Sequence, residues 1–330
     1  MAKTKAQVAR RGRAAHRVDP EQFNRLLLVG GVVAVILVAV GIIAFGWYQT
    51  QIKPASKTVL EVGESKFTLG YLEKRMELQL KDRPDYGATQ QGALLLIDNT
   101  MLQLEREGKL IEAAAQLNVP VTEEDVDNEI KERGSLAPDA EASAFAAELR
   151  RQVADSGLKL GEFRQKVKAE LLEEKVSNYF LYVAPTTEPQ AHVRWIVVAD
   201  VAEGEQVLDR LNAGEDFAAV AKEVSQDTTT GELGGEREGF WPRGAFPTEE
   251  MEDFLFDAQP GQRSEVIDTP LGAYIVELLQ RDETLALSEQ GRQIVSAREM
   301  NAWLSRLDGQ IHIEQHLTDD DRRYALENVF

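Results

Sequence analysis

The stretch from Ala191 to Gln280 restricts the fold more than any other part of the chain, because few arrangements satisfy its order of signals. It begins with a β-rich run, His192 to Val198, and continues as a helical pattern from Glu205 through Val224. Turn residues follow at Gly231-Glu232-Leu233-Gly234-Gly235, and then an aromatic and proline-rich segment from Gly239 to Pro247. A helix over Glu249 to Ala258, a Pro260-Gly261 turn and a last strand across Gly272 to Leu278 close the stretch. The expected product is a β-α-α-β unit of about 90 residues.

Upstream, Leu26 to Tyr48 is a run of 23 residues without a charge, rich in Val, Ile, Leu and Gly. That length spans a hydrocarbon core of about 30 Å, and it exceeds the ~7–15 apolar residues of a cleavable signal. Trp47 and Tyr48 stand where an interfacial anchor belongs. Residues 1–25 hold seven Lys/Arg against two acidic residues, although the whole chain carries a net charge of −19. A basic tail before an apolar run predicts a single-pass membrane protein with its N-terminus cytoplasmic and its body on the extracytoplasmic side. The lipid bilayer is then a partner through Leu26–Tyr48. The acidic body argues against nucleic acid, and the absence of cysteine excludes disulfides, thiolate metal sites and a cysteine nucleophile.

After a polar linker at 49–57, Val59 to Thr68 alternates around a glycine turn as a hairpin, followed by a helix from Leu69 towards Lys81. Leu94, Leu95, Ile97, Met101, Leu102 and Leu104 recur at helical spacing, Thr122 caps a run with an acidic first turn, and Leu160 to Leu181 is a long amphipathic stretch. Between Gly134 and Gly157 the Ala-rich sequence fits a helix or an excursion from the fold. Ala184 to Pro189 is a stiff boundary. Beyond residue 282, Leu287 to Leu307 reads as a further amphipathic helix, Ile311 to Leu317 as a short strand, and Thr318 as the cap of a terminal helix. His312 and His316 fall on one face of that strand about 13 Å apart, too far to share a metal, and no metal or other cofactor is expected.

The unit at 190–282 resembles the parvulin family of peptidyl-prolyl isomerases. The matching pieces are Val193–Val198, Leu211–Asp227, Gly234–Phe240, Pro260–Val266 and Thr269–Val276, in the family's order. Leu117–Val126 and Gly161–Val167 are similar to the helical chaperone lobes of SurA-, PrsA- and PpiD-type foldases. With the transmembrane helix expected at 26–48, the resemblance implies an α+β architecture: a mostly helical chaperone lobe built from 58–185 and 287–330, and a parvulin-like domain inserted at 190–282.

Parvulins rotate the X-Pro amide, whose barrier of ~18–20 kcal/mol arises from resonance in the C–N bond. The resemblance implies that Phe246 and Met251 grip the proline ring, with Leu233, Phe240, Trp241 and Phe256 nearby. Active members carry a histidine in the first strand, Cys or Asp after the first long helix, and a histidine in the last strand. The corresponding positions here hold Trp195, Asp227 and Tyr274. His192 does not replace the first histidine, because three residues along a strand reverse the side chain's face. Tyr274 is a candidate hydrogen-bond partner of Asp227 or of a client carbonyl, while Trp195 offers one N–H donor. The acidic Ala199–Glu205 connection has no basic cluster for a phosphate. The expected role is a membrane-anchored foldase binding unfolded exported polypeptides at X-Pro segments. A slow but competent isomerase and a scaffold that recruits a partner to the secretion channel are the alternatives.

Overall fold

The computed structural model describes residues 36–43, 45–46 and 53–330. The basic tail, most of the Leu26–Tyr48 run and the start of the linker lie outside the described residues. Residues 36–43 are helical with exposed side chains, and among the described residues no helix is long and apolar enough to cross a membrane.

The first hairpin pairs β1 (Thr58–Val62) with β2 (Ser65–Thr68) around Gly63. Gly63 has φ +59°, a conformation that favours glycine. Thr68 then caps α1 (Leu69–Asp82), its hydroxyl accepting from the Tyr71 amide at 3.3 Å. In α2 (Gln90–Ala113) the buried stripe runs through Ala93, Leu96, Ile97, Thr100, Met101 and Leu104. Leu94, Leu95 and Leu102 are exposed, since their positions fall off that 3.6-residue stripe. Thr122 and Asp125 form a reciprocal capping box on α3 (Glu123–Arg133). The Ala-rich segment contains α4 (Ala142–Ser156), a helix with no fully buried residue. α5 (Leu160–Val183) runs across the lobe and buries Phe163, Val167, Leu172, Val176 and Phe180.

The chain next enters a four-stranded antiparallel sheet. Its elements are β3 (Gln190–Val198), α6 (Val201–Asn212), α7 (Phe217–Val224), α8 (Thr228–Gly231), β4 (Glu236–Pro242), α9 (Glu249–Asp257), β5 (Ile267–Thr269) and β6 (Gly272–Asp282). The spatial order is β4-β3-β6-β5. Two expectations need correction here. The helix read from Glu205 to Val224 is two helices, broken where Gly214 takes φ +96° and Asp216 caps the next helix by accepting from the Ala219 amide at 2.9 Å. The aromatic segment contains a strand, β4, that pairs with β3, so the unit has more strands than the β-α-α-β reading allowed.

The chain returns through α10 (Glu289–Arg306), β7 (Ile313–Gln315) and α11 (Asp319–Val329). β7 pairs with β1, placing Ile313 opposite Val62 and Gln315 opposite Leu60. Met300, Trp303 and Leu304 of α10 and Ala325 of α11 share one core with Leu60, Leu72, Leu104 and Phe180. β7 is shorter than expected, and His312 and His316 flank it rather than lie in it. Where the inserted domain begins and ends, Thr187 bridges Ala286 and the Leu287 amide donates to the Thr186 carbonyl at 2.9 Å.

Candidate active site

β3 and β6 are neighbours in the middle of the sheet, and their side chains alternate between its two faces. Ile196, Val198, Ala273 and Ile275 meet α6 and α7 on one face through Val207, Leu211, Phe217 and Val220. Ala191, Val193, Trp195 and Val197 face the other side with Tyr274, Val276 and Leu278, and Met251 and Leu255 of α9 cover them. The second face holds the candidate site.

Asp227 reaches this face because the Gln226 amide donates to the Val197 carbonyl at 2.7 Å, tying the α7–α8 connection to β3. Its Oδ2 accepts from Trp195 Nε1 at 2.9 Å and from Thr230 Oγ1 at 2.7 Å. Its Oδ1 accepts from the backbone amides of Thr229 and Thr230 at 3.1 and 3.4 Å, so the same carboxylate caps α8. Burial opposes ionisation of Asp227, but the donors on Thr230, Trp195 and Thr229 outweigh it and hold the carboxyl below the usual range. Tyr274 packs edge-on to Trp195, with ring centroids 6.0 Å apart. Burial, and then the Asp227 charge, push its phenol up from the ordinary value. Of the two donors the sequence left open to Asp227, the Trp195 indole makes the bond, and Tyr274 feels that carboxylate only through its charge. Trp195 and Asp227 meet because the Gln226–Val197 hydrogen bond draws the α7–α8 connection alongside β3.

Beside this centre lies an aromatic wall. Phe246 and Phe256 meet edge-on at 6.3 Å, and Met251 is completely buried beneath them. Trp241 joins the same cluster because it sits opposite Ala191 in the β3–β4 register. Arg237, opposite Val193, shares that face. Its guanidinium carbon is 3.8 Å from the Trp241 ring centroid, 5.3 Å from that of Trp195 and 5.5 Å from that of Phe246. One of its N–H groups donates to the Ala245 carbonyl at 2.9 Å. The loop holding Ala245 and Phe246 is pinned from the helical lobe, where Arg298 of α10 donates to the Arg243 carbonyl at 3.1 Å and pairs with Glu188 at 2.7 Å.

Two expected pocket residues lie elsewhere. Phe240 occupies the opposite face of β4 and packs on His192, with centroids 5.5 Å apart, because strand alternation sends it away from Trp241. Leu233 is 60% exposed on the turn after α8 and joins neither core cluster. Met251 belongs to the floor, since a side chain with no exposed area does not touch a ligand without rearrangement. Thr230 and Arg237 were not singled out by sequence reasoning. Thr230 had a readable signal, three residues after an N-cap aspartate. Arg237 had none, because β4 itself is disguised by its charged residues and Pro242.

Chemically, the site combines a fixed carboxylate, a donor-only indole, a neutral phenol and a cation held among rings. None of these changes its protonation near neutral pH. Rotation of an amide needs no proton transfer, only preferential binding of the twisted form. Among the described residues, no group of His, Cys, Asp and Glu is arranged to hold a metal ion.

Residues 199–280 match the family described as Rotamase, PPIC-type PPIASE domain, and residues 22–177 match SurA_N_3, the SurA-like N-terminal domain. The foldase protein PrsA 4 of Bacillus cereus is 30% identical over 132 residues, covering 40% of this chain and 44% of the relative. The chain thus spans less than half of that relative's length. The parvulin domain of PpiD from E. coli is 36% identical, covering 30% of this chain and 93% of that one, with a TM-score of 0.25. The peptidylprolyl isomerase PrsA from Bacillus anthracis is 18% identical over 69% of this chain and 94% of that one, with a TM-score of 0.43. The matched stretch at 199–280 begins one residue after β3, so the strand carrying Trp195 is attached to it by tertiary structure. The chain therefore carries a PPIC-type peptidyl-prolyl isomerase domain, the parvulin type, together with a SurA-like N-terminal domain.

Proposed function

We propose that this protein is a membrane-anchored, extracytoplasmic foldase that binds unfolded exported polypeptides. The helical lobe engages the client broadly, and the parvulin cleft takes its X-Pro segments between Phe246, Phe256 and Trp241. Leu26–Tyr48 is the proposed anchor, with the basic tail in the cytoplasm. The observation that carries this reading is the aromatic wall beside the Asp227–Trp195–Tyr274 centre on one face of the sheet. A proline ring is apolar and stiff, so an aromatic wall holds it at small entropic cost.

The same centre makes the protein a better binder than catalyst. Both histidine positions are filled by side chains packed to 8% exposure, leaving Asp227 to act through an indole. A positioned group at a catalytic centre commonly contributes 10²–10⁴-fold, so cis/trans acceleration falls well below that of a histidine-bearing parvulin. The full-length protein should delay aggregation of several reduced, unfolded proteins at near-stoichiometric ratios while barely accelerating a short X-Pro peptide. Absence of both holding activity and peptide binding defeats the foldase reading. An efficient isomerase rate that disappears in Asp227→Ala replaces it with a catalytic one.

A further inference from the structure

Residues 190–282 hold six arginines, and five of them have a carboxylate within ion-pair distance. Arg194 and Arg263 share Glu277 at 2.6 and 3.5 Å, while Arg210, Arg243 and Arg281 pair with Glu215, Asp253 and Glu283 at 2.8, 3.0 and 2.7 Å. Arg237 has none among the described residues. It lies half-buried among Trp195, Trp241 and Phe246, with one N–H on the Ala245 carbonyl. Burial depresses its guanidinium from the ordinary value, opposed by Asp227. It remains a cation at neutral pH, because even a lowered guanidinium titrates far above it. This domain carries 20 Asp and Glu against seven Lys and Arg, so carboxylates for pairing are abundant. The one arginine of this domain left without a carboxylate partner is the one set among the aromatic rings beside Asp227.

We infer that Arg237 is a specificity-determining residue that takes the side-chain carboxylate of an acidic residue next to the bound proline. The inference rests on the proposed seating of proline against Phe246. Consecutive Cα atoms are 3.80 Å apart, and the guanidinium carbon stands 5.5 Å from the Phe246 ring centroid. A residue adjoining the proline is therefore within its side chain's reach of Arg237. The aromatic rings hold the guanidinium plane and shield it from water, which strengthens a charge-assisted hydrogen bond. Asp227 acts on Arg237 only through space, since its carboxylate is directed to Trp195, Thr229 and Thr230 and makes no ion pair or hydrogen bond with the guanidinium. Elsewhere the acidic surface repels an acidic client, so attraction is confined to this point of the cleft.

The test uses the full-length protein and acetylated, amidated tetrapeptides in which the only carboxylate is one side chain. Glu, Gln or Lys stands immediately before or immediately after a single proline, and binding is read from intrinsic tryptophan fluorescence at low and at high salt. The expected result is about tenfold or tighter binding of a Glu-bearing peptide over its Gln counterpart, the scale of one hydrogen bond to a charged group. That preference should shrink with salt and vanish in Arg237→Gln. Arg237→Lys, which keeps the charge and loses the planar stack, should retain a smaller preference. Equal binding of Glu and Gln peptides by the unaltered protein overturns the inference while leaving the grip on proline intact. Failure to bind any of the peptides removes the proline seat itself. If Arg237→Gln lowers thermal stability and leaves the Glu preference unchanged, the residue is structural and the inference is again overturned.

Discussion

In the helical lobe, β1 takes β7 from the far end of the chain as its partner, whereas in the parvulin domain β3 and β6 belong to one unbroken stretch, with Gln190 opposite Asp282. The lobe core mixes Leu60 and Phe67 with Trp303 and Ala325, so it closes only when both ends have been made. The parvulin core draws its buried residues from within the domain. The two regions also treat charge differently. The lobe buries an ion pair, Arg75 with Glu107 at 2.6 Å, at side-chain exposures of 3% and 9%. The domain keeps its cleft cation unpaired beside a carboxylate already satisfied by other donors. A closed pair specifies packing, while an unpaired cation leaves donors for the proposed ligand.

The sharpest way to break this comparison is truncation. Removing residues 287–330 takes away α10, β7 and α11 and exposes the apolar faces they cover. The lobe should then lose its cooperative thermal transition, while residues 186–286 alone should still melt as one unit. A cooperative lobe without its C-terminal segment would show that the β1–β7 pairing is incidental.

Single charges come next. Arg75→Met leaves Glu107 buried and unpaired, which costs roughly 3–5 kcal/mol, and adding Glu107→Met should recover most of that loss. Glu277→Gln in the domain should cost less, about 1.5–3 kcal/mol, because Arg194 and Arg263 remain a quarter exposed and reach water. Equal losses in denaturant titrations of the two variants would erase the contrast.

A smaller effect separates the regions by pH. Glu73 in α1 is buried with one carboxylate oxygen unpartnered, and burial pushes its carboxyl up to about 7. Between its ordinary value and 7, the native state holds a proton that the unfolded chain releases. Its contribution to stability therefore falls as pH rises through that window. Glu73→Gln should raise stability by about 1–3 kcal/mol at pH 8 and little at pH 4.5. Asp227 has the opposite sign, because its depressed carboxyl contributes stability above the unfolded value that is lost as pH falls through the folded one. Asp227→Asn should cost only about 0.5–1.5 kcal/mol at pH 7, as asparagine still caps α8. Melting temperatures across pH read both.

Much of the fold was legible because it is locally encoded. The hairpin around Gly63, the capping box at Thr122 and Asp125, the cap at Thr318 and the helix from Glu249 each rest on neighbouring residues. β4 was not legible, since Glu236-Arg237-Glu238 has no strand alternation and only β3 makes it a strand. The break at Gly214 was visible as a glycine, but helical periodicity on both sides concealed it. For the candidate site, the order of motifs named Asp227, Trp195, Tyr274, Phe246 and Phe256, which the structure brings together. Phe240 and Leu233 could not be placed, because the face each occupies depends on strand register and on where the turn leaves the sheet.

The sequence alone determined the parvulin order of elements, the caps and stripes of the lobe, and the presence of Trp195 and Tyr274 where the resemblance implies histidines, since these are properties of residue types and short spacings. Only tertiary structure decided that β1 and β7 share a ladder, that Asp227 is held by Trp195 rather than Tyr274, and that Arg237 sits among aromatic rings without a carboxylate partner. Each of these depends on which of many chemically equivalent partners arrives within about 3–6 Å. An acidic chain offers Arg237 many carboxylates, and the register of β4 against β3 sets it among aromatic rings instead.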